Sequence, residues 1–137
     1  MPLITINLQA GTRTQDERLA ISTALHQAMV EVLNVPADDR FHIFNELPEG
    51  NLLHDDVVFG LPRSERMIFI AFSFNHRDAD QKKALFAAAV RLLAGAGVPE
   101  HELAMMIIET ARENWWAAGR VVNPRTGYDE RMVEVGA

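Results

Sequence analysis

The sequence predicts an α+β fold of two layers, in which duplicated β-α-β units form a four-stranded mixed sheet with two helices on one face. Three observations predict it. Apolar, β-branched segments alternate with segments of helical apolar spacing in the order strand, helix, strand, and the order occurs twice. Each helical segment opens with a capping pattern. Residues also recur at a constant offset: Arg13, Asp16 and Ala20 return as Arg77, Asp80 and Ala84, and after a one-residue slip Val35, Pro36 and Glu46 return as Val98, Pro99 and Glu109. Duplication of one unit accounts for all three.

Leu3-Ile4-Thr5-Ile6-Asn7-Leu8 reads as the first strand, broken at Gly11. Thr14-Gln15-Asp16-Glu17 then has the capping-box form, with Thr14 as N-cap and Glu17 reaching back. Ile21, Leu25, Met29, Val32 and Leu33 make the apolar stripe of the first helix. Asn34 and Pro36 end it, because proline disfavours helical geometry in the residue before it. Phe41 to Phe44 follows as a strand parallel to the first, joined by a right-handed crossover. The stretch from Pro48 to Arg66 is polar, with a small hairpin expected around Leu52 to Val58. Met67 to Phe74 is nearly continuous in apolar residues, as in a strand buried on both faces or central in its sheet. Asp78 caps the second helix, Leu85, Ala88, Ala89, Leu92 and Leu93 supply its stripe, and Gly95 and Gly97 stop it. Ala104 to Ile108 is the fourth strand.

A pseudo-two-fold between the units sets the first and third strands antiparallel at the centre, which brings residue 2 close to residues 73 to 77. Ile4, Ile6 and Leu8 are not expected all to face the helices, so an apolar sheet face is left uncovered and a homo-oligomer is the simplest cover. Scattered apolar residues after Gly119, around an Asn123-Pro124-Arg125-Thr126-Gly127 turn, suit an arm packing on a neighbouring subunit.

With 137 residues, 48% hydrophobic and 23% charged, the chain is expected to be a single domain: a repeat over 2–47, a hairpin loop over 48–66, a repeat over 67–110 and a C-terminal arm over 111–137. Having no cysteine excludes disulfides, a cysteine nucleophile, zinc–thiolate sites and iron–sulfur clusters. A formal charge of −6 argues against a nucleic-acid or polybasic membrane footprint. The apolar run from Met67 to Phe74 is far short of the roughly 20 residues of a membrane span. No apolar region of a secretory signal follows Pro2, so a cytoplasmic location is expected.

Familiar catalytic motifs are missing: there is no Gly-x-Ser-x-Gly elbow, phosphate-binding glycine loop or His-Glu-x-x-His. His54-Asp55-Asp56 reads as an exposed loop rather than a metal site, and His26 and His42 read as surface or boundary residues. The chemically unusual feature is Met1-Pro2 running straight into a strand. Removal of the methionine frees a rigid secondary amine, which acts as a base where burial lowers its pKa toward working pH.

Met-Pro followed by Leu-Ile-Thr-Ile, the duplication, and an arginine at the start of the second helix resemble the tautomerase superfamily. The resemblance is to its malonate semialdehyde decarboxylase-like branch, through Val35-Pro36-Ala37-Asp38-Asp39-Arg40-Phe41, Gly60-Leu61-Pro62-Arg63-Ser64, Arg77 with Gln81-Lys82-Lys83-Ala84, and Glu109-x-x-x-Glu113-Asn114-Trp115. It implies Pro2 as the catalytic amine, Arg77 as the carboxylate anchor, and Asp39 as the group that handles water or assists proton movement. Trp115 matches an aromatic of an apolar wall, with Trp116 beside it as a second substrate-binding candidate. It also implies a homotrimer acting on a small carboxylic acid without metal or organic cofactor. The branch carries Arg-x-Arg where this chain has Asn75-His76-Arg77, so one cation is replaced by an amide. Losing a charge-assisted partner disfavours chemistry on a doubly clamped acid.

The expected activity is therefore keto–enol tautomerisation of a small 2-oxo acid, with Pro2 as base, Arg77 on the carboxylate and Asn75 donating to the 2-oxygen. One alternative is hydration or decarboxylation of a 3-oxo acid, with cationic Pro2 as acid and Asp39 positioning water. The other is a catalytically silent oligomeric binding protein, which a retained Met1 would enforce.

Overall fold

The computed structural model describes residues 2–117 and 120–121. β1 (Leu3–Gln9), α1 (Gln15–Leu33) and β2 (His42–Leu47) form the first unit. A loop carrying β3 (Val57–Val58) and β4 (Leu61–Pro62) leads to the second unit, β5 (Ile68–Asn75), α2 (Ala79–Gly95) and β6 (Leu103–Thr110). β7 (Trp116–Ala117) pairs antiparallel with β8 (Arg120–Val121). The main sheet has the order β2-β1-β5-β6. β1 and β2 run parallel, as do β5 and β6, while β1 and β5 meet antiparallel with Leu3 opposite Ser73 and Asn7 opposite Phe69. The architecture is the α+β duplication that the sequence predicts.

Both helices start with reciprocal caps. The Thr14 hydroxyl accepts from the Glu17 amide while the Glu17 carboxylate accepts from the Thr14 amide, and Asp78 and Gln81 repeat the exchange. Asn34 ends α1 in the left-handed conformation, at φ 54°. The duplication extends to polar contacts that composition alone does not disclose. Arg18 in the first turn of α1 pairs with Glu46 of β2, and Lys82 in α2 pairs with Glu109 of β6. The turns after the helices match as well, with the Asp39 amide donating to Pro36 O and the Glu102 amide to Pro99 O, both at 3.0 Å.

Ile4, Ile6 and Leu8 are all fully buried, together with Ile68, Ile70 and Phe72, beneath Leu25, Met29, Leu85 and Leu93 of the helices. This corrects the expectation that the three would divide between faces: strand side chains alternate, so residues two apart share one. The near-continuous apolar run in β5 reflects its central place, yet only alternate residues of it are fully buried. Among the described residues the opposite sheet face is the uncovered one. Phe41 and Ile43 at one edge are about half exposed, and Met106 and Ile108 at the other are 41% and 45% exposed. The hairpin also differs from expectation, lying at 57–62 rather than 52–58. Its turn is set by the adjacent positive φ values of Phe59 (52°) and Gly60 (76°), which match the twist of paired strands. Among the described residues no helix is long and apolar enough to cross a membrane. Met1 and most of the expected C-terminal arm, including the turn at 123–127, lie outside the described residues.

Candidate active site

Strand direction gathers the site. Because β1 and β2 run against β5 and β6, the first two begin at the sheet end where the last two finish. Pro2 enters β1 there, and Asp39 lies in the turn leading to β2. Asn75 closes β5, with Arg77 two residues on, while Thr110 closes β6 and Trp115 follows. The Ile4 amide donates to Phe41 O at 3.0 Å. Continued by two residues, the registers of β1 place Pro2 between Arg40 and Phe74.

Pro2 is buried, the surroundings in which an amine loses basicity. Asp39 is half-buried, and burial pushes its carboxyl up. Arg77 is half-buried and immediately precedes Asp78, the N-cap of α2. An anion held there meets a guanidinium and the positive end of a helix dipole together.

Asn75 is 6% exposed. Thr110 is its direct partner across β5 and β6, and the Thr110 hydroxyl donates to Asn75 Oδ1 at 3.3 Å. The Trp115 indole N–H in turn donates to Thr110 Oγ1 at 2.6 Å. Trp115 therefore enters this cluster through its nitrogen, and Thr110 is a participant that sequence reasoning missed. Thr110 is an unspecified position inside the Glu109-x-x-x-Glu113-Asn114-Trp115 stretch and carries no signal until its strand partner is known. Trp116, considered with Trp115 from sequence, is separated from it by the structure: it lies in β7, 69% exposed.

Arg13 occupies the place in the first unit that Arg77 holds in the second, and its environment differs. It is 3% exposed, and its guanidinium donates to Arg66 O at 3.2 Å. Burial and the neighbouring Arg66 charge lower its pKa. Glu102, the counterpart of Asp39, accepts from the Ser64 amide at 3.1 Å and the Ser64 hydroxyl at 2.9 Å. The second unit's equivalent of the site is thus filled by the chain's own groups.

Of the two histidines read as surface or boundary residues, His42 is a boundary residue and His26 is more enclosed than that. His26 is 6% exposed and its Nε2 lies 2.8 Å from Ala37 O. His42 is half-buried, 2.6 Å from the Ser22 hydroxyl, and burial, reinforced by Arg40 and His26, lowers it to about 4. It borders an open groove of about 490 Å³ between α1 and the edge strand, also lined by Arg18, Ser22, Arg40 and Phe44. That groove contains neither Pro2 nor Arg77. No group of three His, Cys, Asp or Glu side chains suited to a metal occurs among the described residues.

Comparison with known proteins gives these residues a family. Two family models, both described as tautomerase enzyme, match residues 39–116 and residues 2–62. Probable tautomerase YusQ of Bacillus subtilis (strain 168) is 30% identical over 117 residues, covering 84% of this chain and 91% of that protein. The crystal structure of FG41 malonate semialdehyde decarboxylase inhibited by 3-bromopropiolate is similar with a TM-score of 0.77 at 34% identity, over 83% of this chain and 87% of that one. A fused 4-OT solved as an asymmetric trimer shares the fold, with a TM-score of 0.69 at 21% identity over 87% of this chain and 94% of its own. By these matches the chain belongs to the tautomerase superfamily, in the branch that includes malonate semialdehyde decarboxylase.

Proposed function

We propose that this protein is a cytoplasmic, cofactor-independent tautomerase of a small 2-oxo acid. The neutral Pro2 nitrogen takes the proton from the enol hydroxyl. The electron pair of that O–H bond forms the carbonyl, and C3 receives the proton back, so the enol becomes the ketone with no net change in atoms or electrons. Arg77 holds the carboxylate and Asn75 donates to the 2-oxygen as charge builds on it. The observation that supports this reading is the shared sheet end, where a buried N-terminal proline, Asp39, Asn75 and the arginine ahead of α2 all lie. Loss of enol absorbance is the assay. Pro2→Ala should slow turnover about 10²–10⁴-fold, the usual contribution of a positioned base. Arg77→Ala should raise KM, and unchanged rates in both variants would overturn the proposal.

A second reading has its own support. The 34%-identical relative is named a decarboxylase, and Asp39 is half-buried at the sheet end where Pro2 enters β1. On that reading a cationic Pro2 is the acid and Asp39 positions water for hydration or decarboxylation of a 3-oxo acid. Titration of the Pro2 amine separates the two. A pKa near or below neutrality favours the tautomerase, and one well above it favours the lyase. Intact mass of untagged protein decides whether Met1 is removed, which both readings require and a silent binding protein would not.

We also propose a homotrimer. The apolar sheet face with Phe41, Ile43, Met106 and Ile108 exposed supports assembly, as does the trimeric state of the fused 4-OT that shares this fold.

A further inference from the structure

We propose that Trp115 and Thr110 form a hydrogen-bond relay that fixes the Asn75 amide with its N–H donors toward the ligand, so that the site selects a 2-oxo or enol acid bearing a single carboxylate. The inference rests on the Pro2 and Arg77 reading of the site and adds the polarity of its third position. An indole nitrogen only donates, so Thr110 Oγ1 accepts from Trp115 at 2.6 Å. The hydroxyl proton then remains to be given away, and Asn75 Oδ1 lies 3.3 Å from it. The reversed amide would direct two N–H donors at one hydroxyl, and among the described residues it would leave the hydroxyl proton and Asn75 Oδ1 without partners. The relay therefore consumes the oxygen end of the amide. Its Nδ2 end has no hydrogen-bond partner among the described residues and is what a ligand meets.

A neutral donor of this kind suits a carbonyl or enolate oxygen. It compensates poorly for taking a second carboxylate out of water, because no added positive charge offsets the desolvation. Thr110 is thus a positioning residue acting through Asn75, and Trp115 contributes its N–H as well as its ring.

The test compares ketonisation of the enols of pyruvate and of oxaloacetate, which differ by one carboxylate, in wild type, Thr110→Val, Thr110→Ser, Trp115→Phe and Pro2→Ala. The wild type should prefer the monoacid. Thr110→Val should lower kcat/KM for the pyruvate enol about tenfold, the equivalent of one hydrogen bond, and compress the preference, with Trp115→Phe acting in the same direction. Thr110→Ser should restore both. Should Thr110→Val fail to fold, the wild-type protein carries the test through its Asn75 side-chain NH₂ resonances, identified by their loss in Asn75→Ala. Displacement of those resonances on titration with pyruvate supports the relay, and no displacement overturns it. A Thr110→Val enzyme with wild-type rate and preference overturns it too. Activity that survives Pro2→Ala overturns the underlying proline mechanism, whatever the Thr110 variants do.

Discussion

Acid should weaken the fold through one identifiable side chain. His42 stands on the helix-facing side of β2, 2.6 Å from the Ser22 hydroxyl, and its pKa is lowered from 6.5 to about 4, first by burial and then by Arg40 and His26. Since the unfolded chain binds a proton at about 6.5 and the native ring does not until about 4, unfolding takes up a proton between those values. The His42 contribution is therefore fully present above pH 6.5 and is lost as pH falls toward 4. At about 1.4 kcal/mol per tenfold change in proton affinity, the upper bound is about 3 kcal/mol. Water reaches part of the ring, so screening reduces the expected loss to about 1–2 kcal/mol. Urea unfolding at pH 7 and pH 4.5 measures it, with His42→Gln as the reference, because glutamine keeps a polar partner for Ser22 and removes the titration. The raised carboxyl of Asp39 acts with the opposite sign and is common to both proteins, so it cancels in the difference. Glu17 and Glu109, whose pKa values are lowered, also remain in both. Equal losses of stability in wild type and His42→Gln would refute the reasoning.

Two further outcomes follow from packing and assembly. Phe72 is fully buried at the centre of β5 with an edge-to-face contact to Phe86, so Phe72→Ala should cost about 3–5 kcal/mol in denaturant unfolding. Ile43→Glu combined with Met106→Glu places charges on both edges of the uncovered sheet face. Sedimentation velocity should report monomers for this variant and trimers for the wild type.

Much of the fold could be read directly because its signals are local. The cap at Thr14 and Glu17, the left-handed stop at Asn34 and the recurrence of Arg13 as Arg77 need no knowledge of distant contacts. Period-two alternation alone puts Ile4, Ile6 and Leu8 on one face, so an expectation built on the number of apolar residues rather than their parity fails there. Leu52 to Val58 misled for another reason. The turn is dictated by backbone conformation at Phe59 and Gly60, and a phenylalanine at positive φ is not a residue that turn preferences select. Of the proposed site residues, Pro2, Asp39 and Arg77 come from a family pattern and Asn75 from a departure from it, and the structure sets all four at one end of the sheet. Thr110 was not legible, because its part depends on a register between β5 and β6 that no local pattern encodes.

The two equivalent arginines have diverged into different trades. Arg13 is sealed inside and clasps the backbone of the segment that joins the halves, while Arg77 stands half-open at the brink of α2. Randomised libraries should register the contrast: replacements at position 13 deplete soluble yield, whereas replacements at position 77 keep the yield and alter what the protein accepts. A doubled ancestor would in this way have assigned one copy of an arginine to holding the architecture, leaving the other open to evolutionary change in ligand preference.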